Sequence, residues 1–431
     1  MTDIWTFLPL VLMLVLLLMK TPVVYAILFP TLLYFLFGQT MSPSMMIVQR
    51  ICTTMESFTY LALPFFTLAG VIFNYAGITR RLLNLADMMV GHLKGGLAHV
   101  NILLSAMMGG LSGSCLADAS MQAKILVPEM TKLGYDKGFS CAVTATSSVI
   151  TTIIPPGIML IMYATAANVS VQKIFMAGVI PGIMLTVALM ITAGIISHKK
   201  NYVGSRTHFA GFKAVLKELI DSIWALLVPF GLLIGLRFGM FTATEGGAIC
   251  AVYALIVGMF IYREIKVKDL IPIIMETVEA SAGLMMLLAA AQSLGRYLTW
   301  ESIPMRVSEA LTHTFTTPGL YLLAVNLLLL VVGCFFDGGA AMVLVAPLLA
   351  PAAEMMGIDP IHFGIVMTVN LTLGGVTPPF GTMMFVTCQI TDTKLERFIK
   401  AVIPLFLSEV AVLFICTYVP GIVTFLPNLL S

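Results

Sequence analysis

The chain has 431 residues, of which 59% are hydrophobic and 10% are charged, and its mean hydropathy is +1.01. Apolar stretches of membrane-spanning length recur from end to end, so the composition excludes a soluble domain with a single anchor. The net charge of +2 gives no indication of nucleic-acid binding, and the sequence contains no P-loop pattern that would indicate ATP hydrolysis.

The N-terminal stretch, residues 1–19, has no basic flank before its apolar run and no small-residue cleavage site. We therefore expect a first membrane helix rather than a removed signal peptide. The next polar stretch, Met41–Met55, is either a helix lying at the membrane interface or an ordinary solvated loop.

A re-entrant hairpin is predicted over residues 96–130. Its first limb, Leu97–Leu111, would be about 22 Å long as a helix, which is short of the roughly 30 Å hydrocarbon core. The small residues Ser112-Gly113-Ser114 follow, and a second short limb ends near Pro128. Two short limbs joined by a small-residue tip favour a hairpin that enters and leaves the membrane on one side.

A broken helix is predicted over residues 138–168, because Pro155 and Pro156 interrupt it. Proline removes a backbone donor and clashes with the preceding turn. Broken backbone at membrane depth is tolerated where it is buried or lines a cavity, and its freed carbonyls can bind a cation. Hydroxyl and carbonyl oxygens without a nearby fixed carboxylate suit Na⁺. The alternative is a kink that serves only packing.

Residues 201–221 form a predicted amphipathic connector. Phe212 and Leu216 share one face of the helical pattern, with Lys213 and Lys217 opposite. This pattern is typical of a helix at the cytoplasmic interface, with a solvated loop as the alternative.

The second half of the chain repeats the first with a constant offset. Gly134 and Gly357, Asp136 and Asp359, and Pro155 and Pro378 are each 223 positions apart. The chain is therefore predicted to hold two copies of one unit. The repeats are residues 1–200 and 222–431, and the second contains a hairpin over 318–353 and a broken helix over 361–391, interrupted by Pro378 and Pro379.

The charges of equivalent loops differ between the copies. Lys124, Lys132 and Lys137 follow the first hairpin, whereas Glu354 and Asp359 follow the second. Because basic loops stay in the cytoplasm, the copies are predicted to have opposite orientations. We expect both termini in the periplasm and the following segments in the cytoplasm: Arg80–Lys94, Lys124–Lys137, His198–Lys217, Arg263–Lys268 and Lys394–Lys400. The predicted fold is an all-α polytopic membrane protein with two inverted repeats, about 10–11 transmembrane helices, two re-entrant hairpins and two broken helices.

Charged residues in apolar surroundings are functional leads. Asp118 either assists a cation site, pairs with Lys124 or caps the second hairpin limb. Asp337, at the second tip, is expected to cap the following helix, and Glu245 is expected to be a first-turn acid. Arg296 lies in an apolar stretch near a membrane end, where snorkelling is expected and binding a partner is the alternative.

These motifs resemble the large membrane subunit of the tripartite ATP-independent periplasmic (TRAP) transporters. The tip SGSCLADAS and the break GGVTPPFG belong to long matching stretches. Those stretches are residues 63–70, 91–120, 128–158, 244–264 and 335–381, and the resemblance covers essentially the whole chain.

The resemblance implies a Na⁺-coupled elevator transporter of the bacterial inner membrane, with no catalytic activity, no cofactor and Na⁺ as its only metal. Hairpins and broken helices would slide together against a scaffold. It implies two partners: a small membrane subunit of about four helices, expected on a separate chain, and a soluble periplasmic binding protein that delivers an organic carboxylate. Dicarboxylates, keto acids, sugar acids and sialic acids all remain open as substrates.

The resemblance also implies site residues. The first Na⁺ site would involve Ser112, Ser114, Ser147, Ser148 and Thr152. The second would involve Gly338, Gly374, Gly375 and Thr377. Substrate would contact Ser112, Ser148, Asp337, Asn370 and Thr372. Gly339 departs from the family pattern, where a threonine is expected, so backbone carbonyls must serve at the second tip.

Two other functions stay open from the residues. One is a free-standing Na⁺- or H⁺-coupled organic-anion transporter that needs no binding protein. The other is a membrane enzyme or respiratory subunit, which would need a catalytic or cofactor constellation such as paired histidines; the six histidines are far apart in sequence.

Overall fold

The structure is a computed structural model that describes residues 2–19, 21–37, 45–315 and 317–430. The described residues form α-helices joined by turns, with no β-strand among them, so the all-α prediction is confirmed. The helices are α1 Thr2–Leu18, α2 Val23–Phe37, α3 Met45–Glu56, α4 Ala62–Tyr75, α5 Ile78–Val90, α6 Gly96–Ser112, α7 Cys115–Lys132, α8 Lys137–Ile153, α9 Ile158–Ala166, α10 Val171–Lys199, α11 Phe212–Arg237, α12 Ala243–Ile256, α13 Leu270–Trp300, α14 Ile303–Thr314, α15 Pro318–Phe335, α16 Gly338–Met355, α17 Pro360–Gly374, α18 Thr382–Thr391, α19 Leu395–Tyr418 and α20 Pro420–Leu430.

Within the described residues, seven helices are long and apolar enough to cross a membrane, and up to nine spans result if each of two bent pairs counts as one. The bent pairs are α4 with α5, at 69°, and α8 with α9, at 48°. Further apolar helices are shorter, among them α2, α6, α17 and α18. Short helices at membrane depth need protein around their ends, because lipid cannot satisfy free backbone groups.

The chain reverses between α6 and α7 at Gly113, whose φ is +60°, a backbone conformation that favours glycine. Ser114 then caps α7 by accepting a hydrogen bond from the backbone N–H of Ala117. Between α15 and α16, the Asp337 carboxylate caps α16 by accepting from the N–H groups of Gly339 and Ala340, at 3.0 and 3.4 Å. The predicted capping role of Asp337 is confirmed.

Two groups of helices make up the molecule. In the first, α6 and α7 both pack on α8, α15 and α16 both pack on α17, and α8 contacts α17. In the second, α4 packs on α12 and α13, and α13 also contacts α2 and α3. Contacts of α4 with α6 and of α13 with α16 connect the two groups.

Polar contacts join segments that the charge pattern predicts on the same side of the membrane. Arg81 forms an ion pair with Glu264 at 3.1 Å, and Arg206 forms one with Asp87 at 2.6 Å. Lys137 donates from Nζ to the Asp392 carbonyl at 2.9 Å, next to the predicted cytoplasmic segment 394–400. These contacts place the predicted cytoplasmic segments at one end of the molecule.

The loop between α7 and α8 is also held at this end. The Tyr135 hydroxyl donates to the Val203 carbonyl, and its ring stacks on Tyr202 at 4.5 Å between centroids. Burial raises the pKa of Tyr135 to about 12, so the hydroxyl keeps the proton it donates.

The predicted boundary between the connector and the second repeat, at residue 221, lies inside one helix. α11 begins at Phe212 and continues without interruption to Arg237, so the second part of the connector is the start of a long helix. The reason is local: no Gly or Pro lies between Phe212 and Pro229, and nothing else in the sequence stops the helix there. Residues 41–44 of the polar stretch Met41–Met55 lie outside the described residues, and the rest of that stretch belongs to α3.

Glu245 is a first-turn acid, as predicted. The Thr242 hydroxyl accepts from the N–H of Glu245, and the Glu245 carboxylate accepts from the N–H of Thr242 at 2.7 Å. This reciprocal pair satisfies two backbone donors at the start of α12.

Candidate functional site

The two hairpin tips and the two helix breaks meet at one cavity of about 130 Å³, called here the tip cavity. Both copies of the repeat contribute to its wall. It is lined by Gly113, Ser114, Cys115, Leu116, Thr152, Ile158, Met159, Met162, Leu284, Asp337, Gly338, Gly339, Leu371, Thr372, Gly375, Thr382 and Met383.

Four helices begin at the tip cavity. Its wall includes the first residues of α7, α9, α16 and α18, which are Cys115, Ile158, Gly338 and Thr382. Each helix N-terminus carries a partial positive charge, although caps and turns already satisfy some of its N–H groups, such as those of Gly339, Ile158 and Met383. The sequence predicted one hairpin tip and one helix break in each half of the chain. The tertiary structure brings the N-termini of the four helices that follow them to one cavity.

Tip and break are bonded in the first copy. The N–H of Ile158, the first residue of α9, donates to the Gly113 carbonyl at 3.3 Å. A Cβ at Gly113 would lie 2.3 Å from the Pro156 carbonyl oxygen, so only glycine permits this approach. The Pro155–Pro156 and Pro378–Pro379 peptide bonds, at equivalent positions of the two copies, are both cis.

The residues predicted for the first Na⁺ site divide into two groups. Ser114 and Thr152 line the tip cavity. Ser147 instead donates to Asn101 Oδ1 at 2.6 Å, and Ser148 donates to the Ala145 carbonyl at 2.8 Å. Ser112 donates to the Met108 carbonyl and is not in the cavity wall.

Asp118 lies behind the first tip and is 1% exposed. Its carboxylate accepts hydrogen bonds from Ser105 at 2.7 Å, from Thr151 at 3.0 Å and from Gln122 at 2.8 and 2.9 Å. Among the ion pairs of the described residues, none joins Asp118 to Lys124. Asp118 therefore ties α6, α7 and α8 together through neutral donors.

At the second predicted Na⁺ site, Gly338 and Gly375 line the tip cavity, whereas Gly374 and Thr377 do not. Gly374 packs against Gly333 of α15 so closely that a Cβ there would lie 2.4 Å from the Gly333 carbonyl carbon. The Thr377 hydroxyl donates to the Leu373 carbonyl at 2.9 Å. Close packing thus holds the second break against the second hairpin.

Of the predicted substrate contacts, Asp337 and Thr372 line the tip cavity, and Ser112, Ser148 and Asn370 do not. Thr372 lies 3.2 Å from Thr152, hydroxyl to hydroxyl, which joins the two broken helices. The structure therefore brings six residues of the predicted Na⁺ and substrate sets to the wall of one cavity: Ser114, Thr152, Asp337, Gly338, Thr372 and Gly375.

Sequence reasoning missed a pair of buried asparagines in the hairpin limbs. Asn370 donates to Asn326 Oδ1 at 2.7 Å, and Asn101 accepts from Ser147. Ser147 and Asn370 are 223 positions apart. Ser147 of the first broken helix thus bonds to Asn101 of α6, and Asn370 of the second broken helix bonds to Asn326 of α15. A lone Asn in an apolar limb was the sequence signal that could have found Asn101 and Asn326.

Glu409 was also missed. It lies in the apolar helix α19, is 0% exposed, and neither carboxylate oxygen has a hydrogen-bond partner in the part of the chain that the structure describes. An acid in the middle of a membrane helix is a recognisable signal in sequence.

The electrostatics of the tip cavity are unusual for an anion site. No Lys or Arg among the described residues lines it, and Asp337 is its one charged group. The positive potential comes from the four helix N-termini. An anion here would gain from bound cations, which would also offset the Asp337 carboxylate.

Comparison with known proteins gives a consistent result. A family model described as "Tripartite ATP-independent periplasmic transporter, DctM component" matches residues 10–422. The chain is 38% identical over 387 residues to the uncharacterized protein YgiK of Salmonella typhimurium, and the aligned region covers 89% of this chain and 88% of that protein. It is 34% identical over 382 residues to the C4-dicarboxylate TRAP transporter large permease protein DctM of Pseudomonas aeruginosa, covering 89% of each.

A further relative is longer than this chain. The isethionate TRAP transporter permease protein DctMQ of Oleidesulfovibrio alaskensis is 37% identical over 379 residues, covering 88% of this chain and 60% of that protein. Among solved structures, the YdaH transporter of Alcanivorax borkumensis is similar with a TM-score of 0.61 and 14% identity, over 90% of this chain and 89% of that one. At that identity the similarity shows a shared fold alone.

Proposed function

We propose that this chain, which belongs to the DctM component family of the tripartite ATP-independent periplasmic transporters, carries a small organic carboxylate through the tip cavity with Na⁺ as the coupling ion. Membership makes it the large permease of such a transporter and a multi-pass protein of the bacterial inner membrane. The observation that supports the proposal most is the meeting of four helix N-termini at a cavity without a basic side chain.

The need for a cation follows from this charge balance. A carboxylate in the tip cavity faces the Asp337 carboxylate, and helix dipoles provide only about half a charge each at their N-termini. Na⁺ at the first site, near Ser114 and Thr152, and at the second, near Gly338 and Gly375, would supply the missing positive charge. Anion binding would then depend on prior Na⁺ binding, which is the requirement for coupled transport.

The Na⁺ ligands in this proposal are hydroxyl and carbonyl oxygens. A hydroxyl that donates to a helix carbonyl, as that of Thr152 does to Val149 at 2.9 Å, keeps a lone pair for a cation. Gly338 and Gly375 have no side chain, so their contribution would be backbone carbonyls. Oxygen donors of this kind suit hard cations.

An elevator movement is the proposed mechanism. The hairpins and broken helices pack on one another as one group, and α2, α3, α4, α12 and α13 form a second group beside them. A group that carries the tip cavity, apart from Leu284 of α13, could move as a unit against the second group, so that the cavity opens first on one side and then on the other.

The proposed partners are a small membrane subunit on a separate chain and a soluble periplasmic binding protein. The family description is tripartite, and this chain covers 60% of the DctMQ relative. The substrate class is a small organic anion: the relatives described above are named for a C4-dicarboxylate and for isethionate. A free-standing transporter that needs no binding protein is the alternative.

Uptake in proteoliposomes tests the proposal. The chain and its small subunit are reconstituted together, and uptake of radiolabelled succinate and N-acetylneuraminate is measured with the binding protein outside and an inward Na⁺ gradient. We expect uptake of a carboxylate that requires both the binding protein and the gradient. Uptake that proceeds without the binding protein would support the alternative, and uptake indifferent to Na⁺ would contradict the coupling.

A further inference from the structure

A second, larger cavity of about 760 Å³ lies between the two groups of helices. One wall comes from α3, α13 and the start of α14, and the other comes from α16 and the turn between α9 and α10. Arg50, Gln292, Arg296, Thr299 and Glu354 provide its polar lining. It is called here the arginine vestibule, and its lining includes Glu354 and Pro360, on either side of the loop after the second hairpin, which the inverted orientation predicts on the periplasmic side.

The charges of the arginine vestibule favour an anion. Arg50 is exposed and Arg296 is half-buried, and neither forms an ion pair within the described ranges. The Arg296 guanidinium lies 5.7 Å from the centre of the Trp300 ring, a contact that leaves its N–H donors available. Glu354, on the opposite wall, is exposed and is the one acid among the lining residues. Two guanidinium groups against one carboxylate leave a net positive lining.

The arginine vestibule and the tip cavity share two helices, along which their lining residues follow one another. On α13, Leu284 lines the tip cavity and Leu288, one turn later, lines the vestibule. On α16, Gly338 and Gly339 line the tip cavity, and residues from Val343 onward line the vestibule. An anion that enters from the periplasmic end therefore meets the two arginines before it meets the hairpin tips.

We infer that the arginine vestibule is a binding site for the carboxylate of the substrate on its way to the tip cavity, an inference that rests on the proposed function. Guanidinium groups bind carboxylates and sulfonates through paired N–H donors, and their charge does not titrate. The vestibule supplies the basic side chains that the tip cavity lacks. The arginine vestibule concentrates the anion beside the tip cavity. The tip cavity then binds the anion only when Na⁺ is bound there as well.

An electrostatic test does not need the substrate. A cysteine at position 299, made by Thr299→Cys in a Cys52→Ser, Cys115→Ser background, lies one turn from Arg296 on the vestibule wall. The protein is reconstituted in phosphatidylcholine vesicles at low salt. The measured quantity is the rate of modification by the anionic reagent sulfonatoethyl methanethiosulfonate, divided by the rate with the cationic trimethylammonium analogue.

We expect the anionic reagent to be favoured at position 299. A guanidinium at about 7 Å through water changes the local concentration of an anion by roughly two- to threefold and that of a cation by the same factor in the opposite direction, so the ratio changes by roughly four- to ninefold. Arg296→Gln should lower the ratio by that factor, Arg50→Gln should lower it in the same direction, and 1 M salt, with a screening length of about 3 Å, should remove the preference in the protein that retains both arginines. Arg263→Gln is the control, because this exposed arginine does not line the vestibule and lies in a segment predicted to be cytoplasmic.

The same variants then distinguish substrate from lipid. With the native cysteines restored and in vesicles of phosphatidylcholine alone, Arg50→Gln with Arg296→Gln should raise the half-saturating concentration of the transported carboxylate severalfold, and Arg263→Gln should not. An effect on uptake confined to vesicles that contain phosphatidylglycerol would assign the site to a lipid headgroup and overturn the inference. A ratio at position 299 that is indifferent to salt and to both arginines would overturn it as well. If wild-type uptake proves independent of Na⁺, the proposed function fails while the labelling result still stands.

Discussion

Gly374→Ala tests whether the close contact between the second break and the second hairpin sets the cation site. A Cβ at position 374 would lie 2.4 Å from the carbonyl carbon of Gly333 and 2.5 Å from its Cα. Both are backbone atoms, so no side chain can rotate away. Ordinary contact begins at 3.4 Å, and α15 and α17 must therefore separate by about 1 Å.

The energetic cost follows from that overlap. Overpacking of this kind costs about 1–3 kcal/mol in stability. Oxygen ligands of hard cations lie within a few tenths of an ångström of their preferred distance. A shift of about 1 Å beside Gly375 should therefore weaken the second Na⁺ site. A loss of 1–2 kcal/mol at that site corresponds to a rise of about five- to thirtyfold in half-saturating Na⁺.

Two measurements check this prediction. Thermal unfolding in detergent should show a lower midpoint for Gly374→Ala, and uptake in proteoliposomes should show the higher Na⁺ requirement. Gly283→Ala is the matched control: it is also a glycine within a membrane helix, and nothing lies within 4 Å of the added Cβ. If Gly374→Ala behaves like Gly283→Ala in both assays, the contact does not set the cation site.

Three further predictions concern the first tip, its buried support and a helix end. Asp118→Ala removes the buried acceptor shared by Ser105, Thr151 and Gln122, of which Gln122 keeps a bond to Ser105, so the free energy of unfolding should fall by roughly 2–3 kcal/mol, and Asp118→Asn should cost less because one acceptor oxygen remains. Ser114→Ala should raise half-saturating Na⁺ in uptake assays, with Ser120→Ala, whose hydroxyl donates to the Ala117 carbonyl, as the control. Thr242→Ala removes the cap of α12 and should lower stability by about 1 kcal/mol with unchanged uptake kinetics.

Each of these has a contradicting result. Equal stability of Asp118→Ala and wild type would mean that the buried network contributes nothing to folding. An unchanged Na⁺ requirement in Ser114→Ala would remove that residue from the first site. A change in Na⁺ or substrate dependence in Thr242→Ala would show that the start of α12 is coupled to transport.

Several features followed from local patterns in the sequence. Proline pairs and small-residue tips indicated where helices stop, because Pro and Gly act on the backbone within one turn of their position. The cap at Asp337 and the first-turn acid Glu245 were predicted for the same reason and are confirmed. At residue 221, where the connector was predicted to end, an amphipathic pattern and a membrane-spanning pattern follow one another within one helix.

The direction of individual side chains did not follow from the sequence. Ser112, Ser148 and Asn370 share their motifs with residues that line the tip cavity, yet none of the three belongs to its wall. Successive residues on a helix point about 100° apart, so which of them reaches a cavity depends on how the helix is rotated against its neighbours. The resemblance to TRAP transporters supplied the correct family without settling this point.

By itself, the sequence determined the membrane class and the positions of tips and breaks, and its constant offset of 223 predicted two copies of one unit, because apolar length, motif spacing and backbone-breaking residues can all be read along the chain. Only the tertiary structure decided that α7, α9, α16 and α18 begin at one cavity, that Gly374 meets Gly333, and that Arg50 and Arg296 share a vestibule leading to it. The physical reason is that these are contacts between segments far apart in the chain, and close packing of whole helices, rather than any local preference, brings them together.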